Sequence, residues 1–234
     1  MPTADRPAFI PLSVRSFLAQ DWPNRELLVI DDGRDAVGDL VAGVPGVRYL
    51  RLSRRASIGA KRNLACAEAR GELIVHWDDD DWYAPSRLTW QATPIAAGRA
   101  DVTGLENRFT LQLPAGQFWT VEREPHQPMV RGDVHNGTLM FRRSIFAEGV
   151  RYPEVNLAEG AAFLREAMDR GHRLARLENP DVFVYVRHGG NTWRFAPGQF
   201  LNRRRRERVA RPSSLSAETL EAYRIAAADP TRRT

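Results

Sequence analysis

The sequence predicts an α/β fold in which helices flank a mostly parallel sheet, with a smaller mixed sheet in the second half of the chain. Short apolar segments at 26–31, 47–52 and 72–77 alternate with helical segments. Two of these apolar segments end in runs of aspartate. Buried parallel strands read as continuous apolar runs, and strands that alternate with helices favour a doubly wound sheet.

The elements of the first half follow in order along the chain. The first helix is predicted from apolar residues that recur at helical spacing: Phe9, Leu12, Phe17 and Leu18. Ahead of it, the chain opens at the expected last turn of a first strand, so either that strand is very short or the start has been placed late. Ser57 is suited to cap the second helix, and Gly71 to end it.

The second half has a different pattern. Four strand-like segments between 101 and 143 have no long helix between them, and a helix returns at 157–170. The apolar stripe of that helix is Leu157, Ala161, Leu164 and Met168. Two further strands close a predicted domain over 1–193, with halves at 1–100 and 101–193. A basic, partly helical tail follows at 194–234.

Composition limits the class of protein. The 234 residues are 43% hydrophobic and 27% charged, which is typical of one large globular domain. A single cysteine, Cys66, excludes an intramolecular disulfide and a cysteine-built zinc site. The sequence has neither the apolar core of a signal peptide nor an apolar run long enough to cross a bilayer. These features predict a cytoplasmic location.

The positive charge is concentrated in one segment. The net charge is +5, and residues 201–211 alone contain six arginines and one glutamate. Because this charge is confined to the tail and has no interleaved aromatic residues, a nucleic-acid partner is not predicted. The favoured interpretation of Arg203–Arg206 is a solvated run. A diphosphate contact and peripheral binding to an anionic membrane are the alternatives.

The strongest chemical signal is "WDDDDWY" at 77–83, directly after a predicted buried strand. Ligands of open α/β sheets bind outside the carboxyl ends of the strands. Four adjacent carboxylates repel one another, so we expect raised pKa values there unless a cation neutralises them. Mg²⁺ typically uses one or two carboxylates together with substrate phosphates. The alternative interpretation is a solvated acidic turn.

Two further motifs belong to the same predicted sheet edge. "VIDDG" at 29–33 places paired acids where they can accept hydrogen bonds from a base or ribose. "SIGAKRN" at 57–63 places Gly59 and Lys61 at a helix start that can face phosphates. Taken singly, a plain turn and an ordinary helix start explain them. Three such motifs in order along one edge favour a nucleotide site.

These motifs together resemble the family 2 glycosyltransferases of the GT-A fold. The similarity is carried by "PTADR", "SFLAQDWPNRELLVIDDG", "SIGAKRNLACAEARGELIVHWDDDDWYAPSRL" and "NGTLMFRRSIF", and it covers about residues 1 to 190. The resemblance implies a nucleotide-diphosphate sugar donor, with a UDP- or dTDP-sugar favoured. It also implies Mg²⁺ or Mn²⁺, transfer with inversion, a nucleotide-binding half at 1–100 and an acceptor half at 101–193.

The resemblance also assigns roles by position. The residues implied to bind the nucleotide-sugar are Thr3, Arg6, Asp31, Asp32, Lys61, Asn63, Asp78 and Asp79. Asp31 and Asp32 correspond to the acids that hold the base. Asp78 and Asp80 correspond to the Asp-x-Asp motif, with Asp80 as the direct metal ligand.

The sequence departs from the family at the catalytic base. The family has a Glu-Asp pair at the start of the later helix, and here Gly160 stands where the Asp is expected. Inversion requires a group that takes the acceptor proton, and glycine has none. Glu159 is the substitute we predict, with Glu154 and Asp133 as alternatives. An acid favoured by the helix dipole is the competing interpretation of Glu159.

His188 lies just past the last predicted strand, in "YVRHGGNTWRF". A loop there can fold over the diphosphate, so we predict His188 as a second metal ligand or a phosphate contact. A lone loop histidine is more often neither. The predicted function is glycosyl transfer, with nucleotidyl transfer and non-catalytic sugar-nucleotide binding as alternatives.

Overall fold

The computed structural model describes residues 1–121, 134–192 and 206–228. Its strands are β1 Pro2–Thr3, β2 Leu27–Asp31, β3 Val47–Arg51, β4 Leu73–Val75, β5 Trp82–Tyr83, β6 Val102–Leu105, β7 Thr110–Gln112, β8 Gln117–Val121, β9 Met140–Arg142, β10 Leu174–Leu177, β11 Phe183–Arg187 and β12 Arg206–Val209. Its helices are α1 Ile10–Leu18, α2 Ile58–Glu68, α3 Arg87–Ala96, α4 Arg143–Ala147, α5 Glu159–Asp169 and α6 Ala217–Ala228. The predicted α/β class is confirmed.

The first sheet is wholly parallel and has the order β1-β2-β3. Strand β1 is two residues long, and its Thr3 pairs with Asp31 at the end of β2. Two strand ends that carry predicted site residues therefore lie side by side.

The change of pattern in the second half predicted one smaller mixed sheet, but the structure has two, and each takes one strand from the first half, β4 or β5. The strand predicted at 72–77 therefore joins a mixed sheet through antiparallel pairing with β9, and not the parallel sheet. One mixed sheet has the order β10-β6-β9-β4, and the other has the order β12-β8-β7-β11-β5. In the first of these sheets β6 is parallel to β10, and β9 runs antiparallel to both β6 and β4. Strand β12 lies within the segment predicted as tail. In the described part of the chain no helix has the length and apolarity that a membrane crossing needs.

Two predicted helix faces are confirmed in part. Phe9 and Phe17 are buried, but Leu18 is 44% exposed because α1 ends there. Ala161 and Leu164 are buried in α5, but Leu157 is 53% exposed because the helix begins only at Glu159. Both errors concern an apolar residue at a helix end.

The N-terminal turn of α2 packs tightly against the segment before α5. The predicted cap is confirmed, since the Ala60 amide donates to Ser57 Oγ at 3.2 Å. The Gly59 amide donates to the Val155 carbonyl at 3.1 Å. A Cβ added at Gly59 would lie 1.8 Å from the Pro153 carbonyl oxygen. Glycine is therefore required for this close approach.

Replacing Gly59 with alanine tests this packing. Helix propensity alone would stabilise α2 by up to about 1 kcal/mol. We expect the opposite sign, a loss of about 2 kcal/mol in unfolding free energy, because Cβ overlaps backbone that has to move. Urea unfolding measures the change, and Ala67→Gly at an exposed position of α2 supplies the propensity scale. A stabilised Gly59→Ala variant would contradict the described contact.

Candidate active site

Three strand ends converge at the site, those of β1 and β2 in the parallel sheet and that of β4 in the first mixed sheet. Thr3 Oγ1, at the end of β1, donates to Asp79 Oδ2 at 2.6 Å in the loop after β4. The Lys61 ammonium donates to the Thr3 carbonyl at 3.0 Å and to Asp32 Oδ1 at 2.8 Å. All four residues are buried. The structure thus brings together the residues from the three motifs that the sequence placed along one sheet edge.

Asp79 and Asp80 share one arginine. Arg6 Nη1 donates to Asp79 Oδ1 at 2.8 Å and to Asp80 Oδ2 at 3.0 Å, and Arg6 Nη2 donates to the Gly190 carbonyl at 2.9 Å. Burial raises the pKa of Asp79 against the opposing charge of Arg6. Arg6 therefore neutralises the centre of the acidic loop.

Asp80 accepts two more hydrogen bonds on Oδ2. His188 Nε2 lies 2.9 Å away and Asn191 Nδ2 lies 3.2 Å away. Burial alone would raise the pKa of Asp80, but the charge of Arg6 and the hydrogen bond from His188 outweigh it and hold the pKa at about 2. A raised pKa was expected for the whole run unless a cation intervened, and for Asp80 that cation is Arg6.

Asp81 faces away from this cluster. Its Oδ1 accepts from the Val186 amide at 2.8 Å, and its Oδ2 has no hydrogen-bond partner among the described residues. Burial, with the charges of Asp80 and Asp78, raises its pKa well above the ordinary value. Asp81 therefore belongs to the support of the loop rather than to its ligand-facing side.

Asp78 connects the acidic loop to α2 and α5. Arg62 Nη2 donates to Asp78 Oδ1 at 2.8 Å, and Arg62 Nε donates to Glu159 Oε1 at 3.2 Å. The Arg62 side chain is only 7% exposed. Sequence reasoning did not select Arg62, although it stands beside Lys61 in "SIGAKRN". Its place next to Lys61, at the start of α2, is the signal that could have identified it.

The paired acids after β2 have different surroundings. Asp31 is fully buried, and four groups donate to its carboxylate: the amides of Gly33 and Val37, the Tyr49 hydroxyl and the Arg51 guanidinium. Burial raises the pKa of Asp31, but these donors outweigh burial and hold the pKa below its ordinary value. Asp32 accepts from Lys61 and from the Ala56 amide at 2.8 Å. Asp31 is thus saturated by protein donors.

Asn63 holds a loop. Its Nδ2 donates to the Tyr152 carbonyl at 2.8 Å, and its Oδ1 accepts from the Tyr152 amide at 2.9 Å. Both ends of the side-chain amide are committed to the backbone of one residue. Asn63 therefore anchors the segment before α5 onto α2.

A side chain at position 160 would contact Asn136 and His76. A Cβ at Gly160 would lie 3.1 Å from Asn136 Cβ and 3.6 Å from His76 Cε1. His76 Nδ1 lies 2.7 Å from the Asn136 carbonyl, and its Nε2 lies 2.6 Å from the Tyr152 hydroxyl. Burial, with the charge of Arg62, holds the pKa of His76 well below its ordinary value. The neutral ring therefore donates from Nδ1 and accepts at Nε2.

The other predicted acids differ in position. Glu159 begins α5 with its carboxylate on Arg62. Glu154 is exposed on the loop before it. Asp133 lies outside the described residues, as do Arg203, Arg204 and Arg205. His188 is in the site, where its side chain is completely buried and its ring lies 4.6 Å from that of Phe9.

The donor set suits a metal that is completed by phosphate. The described residues contain no group of three or more His, Cys, Asp or Glu side chains arranged to hold a metal ion. Asp80 and His188 are adjacent, and the Asp78 carboxylate is 28% exposed. One or two carboxylates plus substrate phosphates is the usual Mg²⁺ environment. These residues fit a metal that binds together with a diphosphate.

With the site's geometry described, comparison with known proteins gives the family. The sequence profile described as "Glycosyl transferase family 2" matches residues 1–150, which is more than half of the chain. The chain belongs to glycosyl transferase family 2. The resemblance drawn from the motifs is confirmed, and the fold is that of the GT-A glycosyltransferases.

Similar proteins agree with this assignment. The "Putative colanic acid biosynthesis glycosyl transferase WcaA" of Escherichia coli is 33% identical over 94 residues, which cover 38% of this chain and 34% of that protein. A crystal structure of S. aureus TarS 1–349 in complex with UDP has a TM-score of 0.64 at 20% identity, covering 80% of this chain and 59% of TarS 1–349. This family 2 chain therefore spans only part of the relatives it matches.

A third similar protein is the mannosyltransferase PcManGT from Pyrobaculum calidifontis, solved in complex with GDP-Man and Mn²⁺. Its TM-score is 0.61 at 18% identity, and the match covers 80% of this chain and 55% of PcManGT. At this identity the likeness shows the shared fold.

The saturated carboxylate of Asp31 generates a stability prediction. Asp31→Asn replaces two acceptor oxygens by one, so we expect a loss of about 2 kcal/mol in unfolding free energy at pH 7. Because the pKa of Asp31 is lowered by folding, its stabilising effect is present above the ordinary value of 3.8 and lost as the pH falls below it. The difference in unfolding free energy between wild type and Asp31→Asn should therefore narrow below about pH 4.

Urea unfolding across this pH range measures the difference, with Asp39→Asn as the exposed control. A gap that stays constant or widens on acidification would contradict the assigned hydrogen bonds.

Proposed function

We propose that this chain transfers a sugar from a nucleotide-diphosphate sugar to an acceptor hydroxyl, with inversion and with Mg²⁺ or Mn²⁺ as cofactor. The observation that carries the proposal is the convergence of Thr3, Lys61 and the acidic loop at the carboxyl ends of β1, β2 and β4. This is where α/β sheets bind nucleotides.

The donor side is supported by the chemistry of the pocket. Asp32 and Thr3 are linked through Lys61, and the linked groups lie next to the loop that contains Asp78 and Asp79. TarS is solved with UDP and PcManGT with GDP-Man, which supports a nucleotide-sugar but leaves open the base. Of the two predicted base-binding acids, Asp32 is the one we assign, because Asp31 is saturated by protein donors.

Asp80 and His188 are the residues that would hold the metal. When bound, the metal supplies Lewis-acid stabilisation of the leaving diphosphate. Arg6 now holds the same carboxylate oxygen as His188, so Arg6 has to give up at least part of its contact with Asp80. The freed guanidinium is then available for the diphosphate, which it can bind in a charge-assisted manner.

The acceptor side depends on Glu159. An inverting transfer requires a base within reach of the acceptor hydroxyl, and Glu159 is the carboxylate at the start of α5. Arg62 holds its Oε1 and so fixes its direction relative to Asp78. A non-catalytic sugar-nucleotide binder is the second candidate, because Gly160 removes the expected carboxylate. We further propose a cytoplasmic location, in which the arginine-rich segment 203–206 is a solvated run and peripheral membrane contact is the alternative.

Asp80→Asn tests the metal assignment. We expect UDP or GDP binding to lose its dependence on Mn²⁺, because the amide is a poor ligand in place of the carboxylate. Repulsion among four adjacent carboxylates, taken alone, would leave the stability of the ligand-free protein unchanged or raised when one charge is removed. The structure indicates a loss instead, of about 2 kcal/mol, because Arg6, His188 and Asn191 lose a charged acceptor.

Titration calorimetry with UDP and GDP, with and without Mn²⁺, measures binding, and urea unfolding measures stability. The exposed Asp35→Asn is the matched control. Mn²⁺-dependent binding of wild-type strength in Asp80→Asn would show that Asp80 is not the ligand.

Glu159→Gln tests the base. General-base catalysis typically contributes about 10²- to 10⁴-fold, so we expect a rate loss in that range with nucleotide affinity nearly unchanged. Gly160→Asp should not raise the rate above that of wild type, because a Cβ at position 160 would push against Asn136. Gly160→Ala separates this steric effect from the added charge. Donor turnover is measured with a panel of UDP- and GDP-sugars in Mn²⁺.

Two results would contradict the assignment of Glu159. The first is Glu159→Gln with wild-type turnover, and the second is a gain in turnover from Gly160→Asp that Gly160→Ala does not give. Nucleotide binding without any turnover in wild type would favour the non-catalytic binder.

A further inference from the structure

The C-terminal helix α6 reaches the acidic loop through a single buried tyrosine. The Tyr223 hydroxyl donates to the Asp81 carbonyl at 2.7 Å, and the side chain is 1% exposed. This helix lies beyond residues 1–150, the part of the chain that the family profile matches. Its contact with the loop is therefore not explained by the motifs that define the family here.

The ring of Tyr223 makes a second connection to the same place. It lies 6.0 Å from the ring of Phe9, in the turn before α1, and Phe9 lies 4.6 Å from the imidazole of His188. His188 Nε2 lies 2.9 Å from Asp80 Oδ2. The hydroxyl of Tyr223 thus holds the backbone next to Asp80, and its ring packs against Phe9, which lies against the histidine that contacts the Asp80 carboxylate.

The loop has two further anchors, one at Asp78 and one at the Asp81 side chain. The Asp78 amide donates to the Tyr83 hydroxyl at 2.8 Å, and Asp81 Oδ1 accepts from the Val186 amide at 2.8 Å. The Tyr223 bond is the one that reaches the loop from α6. Removing it leaves the loop attached through β5 and β11 but frees the Asp81 carbonyl.

We propose that Tyr223 is a positioning residue for the donor site, which sets the direction of Asp80 and His188 toward the metal and diphosphate. The inference rests on the proposed function for the identity of the ligand. Helix α6 then belongs to the donor site, because it holds Asp80 and His188, the proposed metal ligands, in position. A purely structural tyrosine would contribute to stability and leave the geometry of the loop unchanged.

Tyr223→Phe separates these roles because it removes the hydroxyl and keeps the ring. Leu215→Ala is the control: Leu215 is fully buried in the same C-terminal segment, and its truncation removes core packing. Two readouts are compared in both variants. One is hydrogen–deuterium exchange of the peptide covering 78–83, and the other is the affinity for UDP, dTDP and GDP in Mn²⁺. Urea unfolding confirms that each variant is folded and gives its stability.

The expected result is faster exchange of residues 78–83 in Tyr223→Phe and an affinity for the nucleotide that is weaker by about tenfold, the effect of one hydrogen bond. Leu215→Ala should lower the unfolding midpoint at least as much and leave the loop exchange and the nucleotide affinity at wild-type values.

Wild-type loop exchange in Tyr223→Phe would overturn the proposal, and so would equal changes in Leu215→Ala. If wild type binds none of UDP, dTDP and GDP in Mn²⁺, the proposed function fails. The exchange comparison then still decides whether Tyr223 positions the loop.

Discussion

The structure around the site depends on how its buried carboxylates are neutralised. Five aspartates are buried there: Asp31, Asp32, Asp79, Asp80 and Asp81. An ionised carboxylate in the protein interior is costly unless it is paired and hydrogen-bonded. Four of the five have a cation within hydrogen-bond distance, and the fifth, Asp81, has a backbone amide. Arg6, Arg51 and Lys61 therefore lie where buried carboxylates require a positive charge.

This constraint explains where the chain uses its single lysine. Every other basic side chain in the sequence is arginine or histidine, and Lys61 is 4% exposed. Its ammonium fits between the Thr3 carbonyl and Asp32, where a compact point charge suffices. Arg6 has a different task, because one guanidinium must reach Asp79, Asp80 and Gly190 at once. The planar fork of arginine provides that reach.

Sequence patterns were sufficient for most of the elements and for the meeting of the three motifs, but not for β5, β12 or the sheet to which β4 belongs. They were not sufficient for the roles within the acidic loop, because four consecutive aspartates look alike in a sequence. In the structure Asp78 faces Arg62, Asp79 and Asp80 face Arg6, and Asp81 faces Val186. These directions are set by loop geometry and by residues distant in sequence, so no local period or spacing encodes them.

Tyr223 was missed for the same reason. It lies 142 positions from the carbonyl it binds, in the segment that the sequence analysis interpreted as a basic tail. Its neighbour Ile225 is 67% exposed, so apolarity along α6 does not single out the buried face. Long-range contacts of this kind depend on how the helix docks.

The line from Asp78 through Arg62 to Glu159 joins the two halves of the proposed reaction. Arg62 is bonded to one carboxylate on the donor side and to one on the acceptor side, and it is itself buried. A ligand that draws Asp78 away leaves the guanidinium with Glu159 as its remaining carboxylate partner. A ligand that leaves Asp78 in place keeps Arg62 bonded to both acids. The donor side is therefore connected to the orientation of the Glu159 carboxylate through one buried guanidinium.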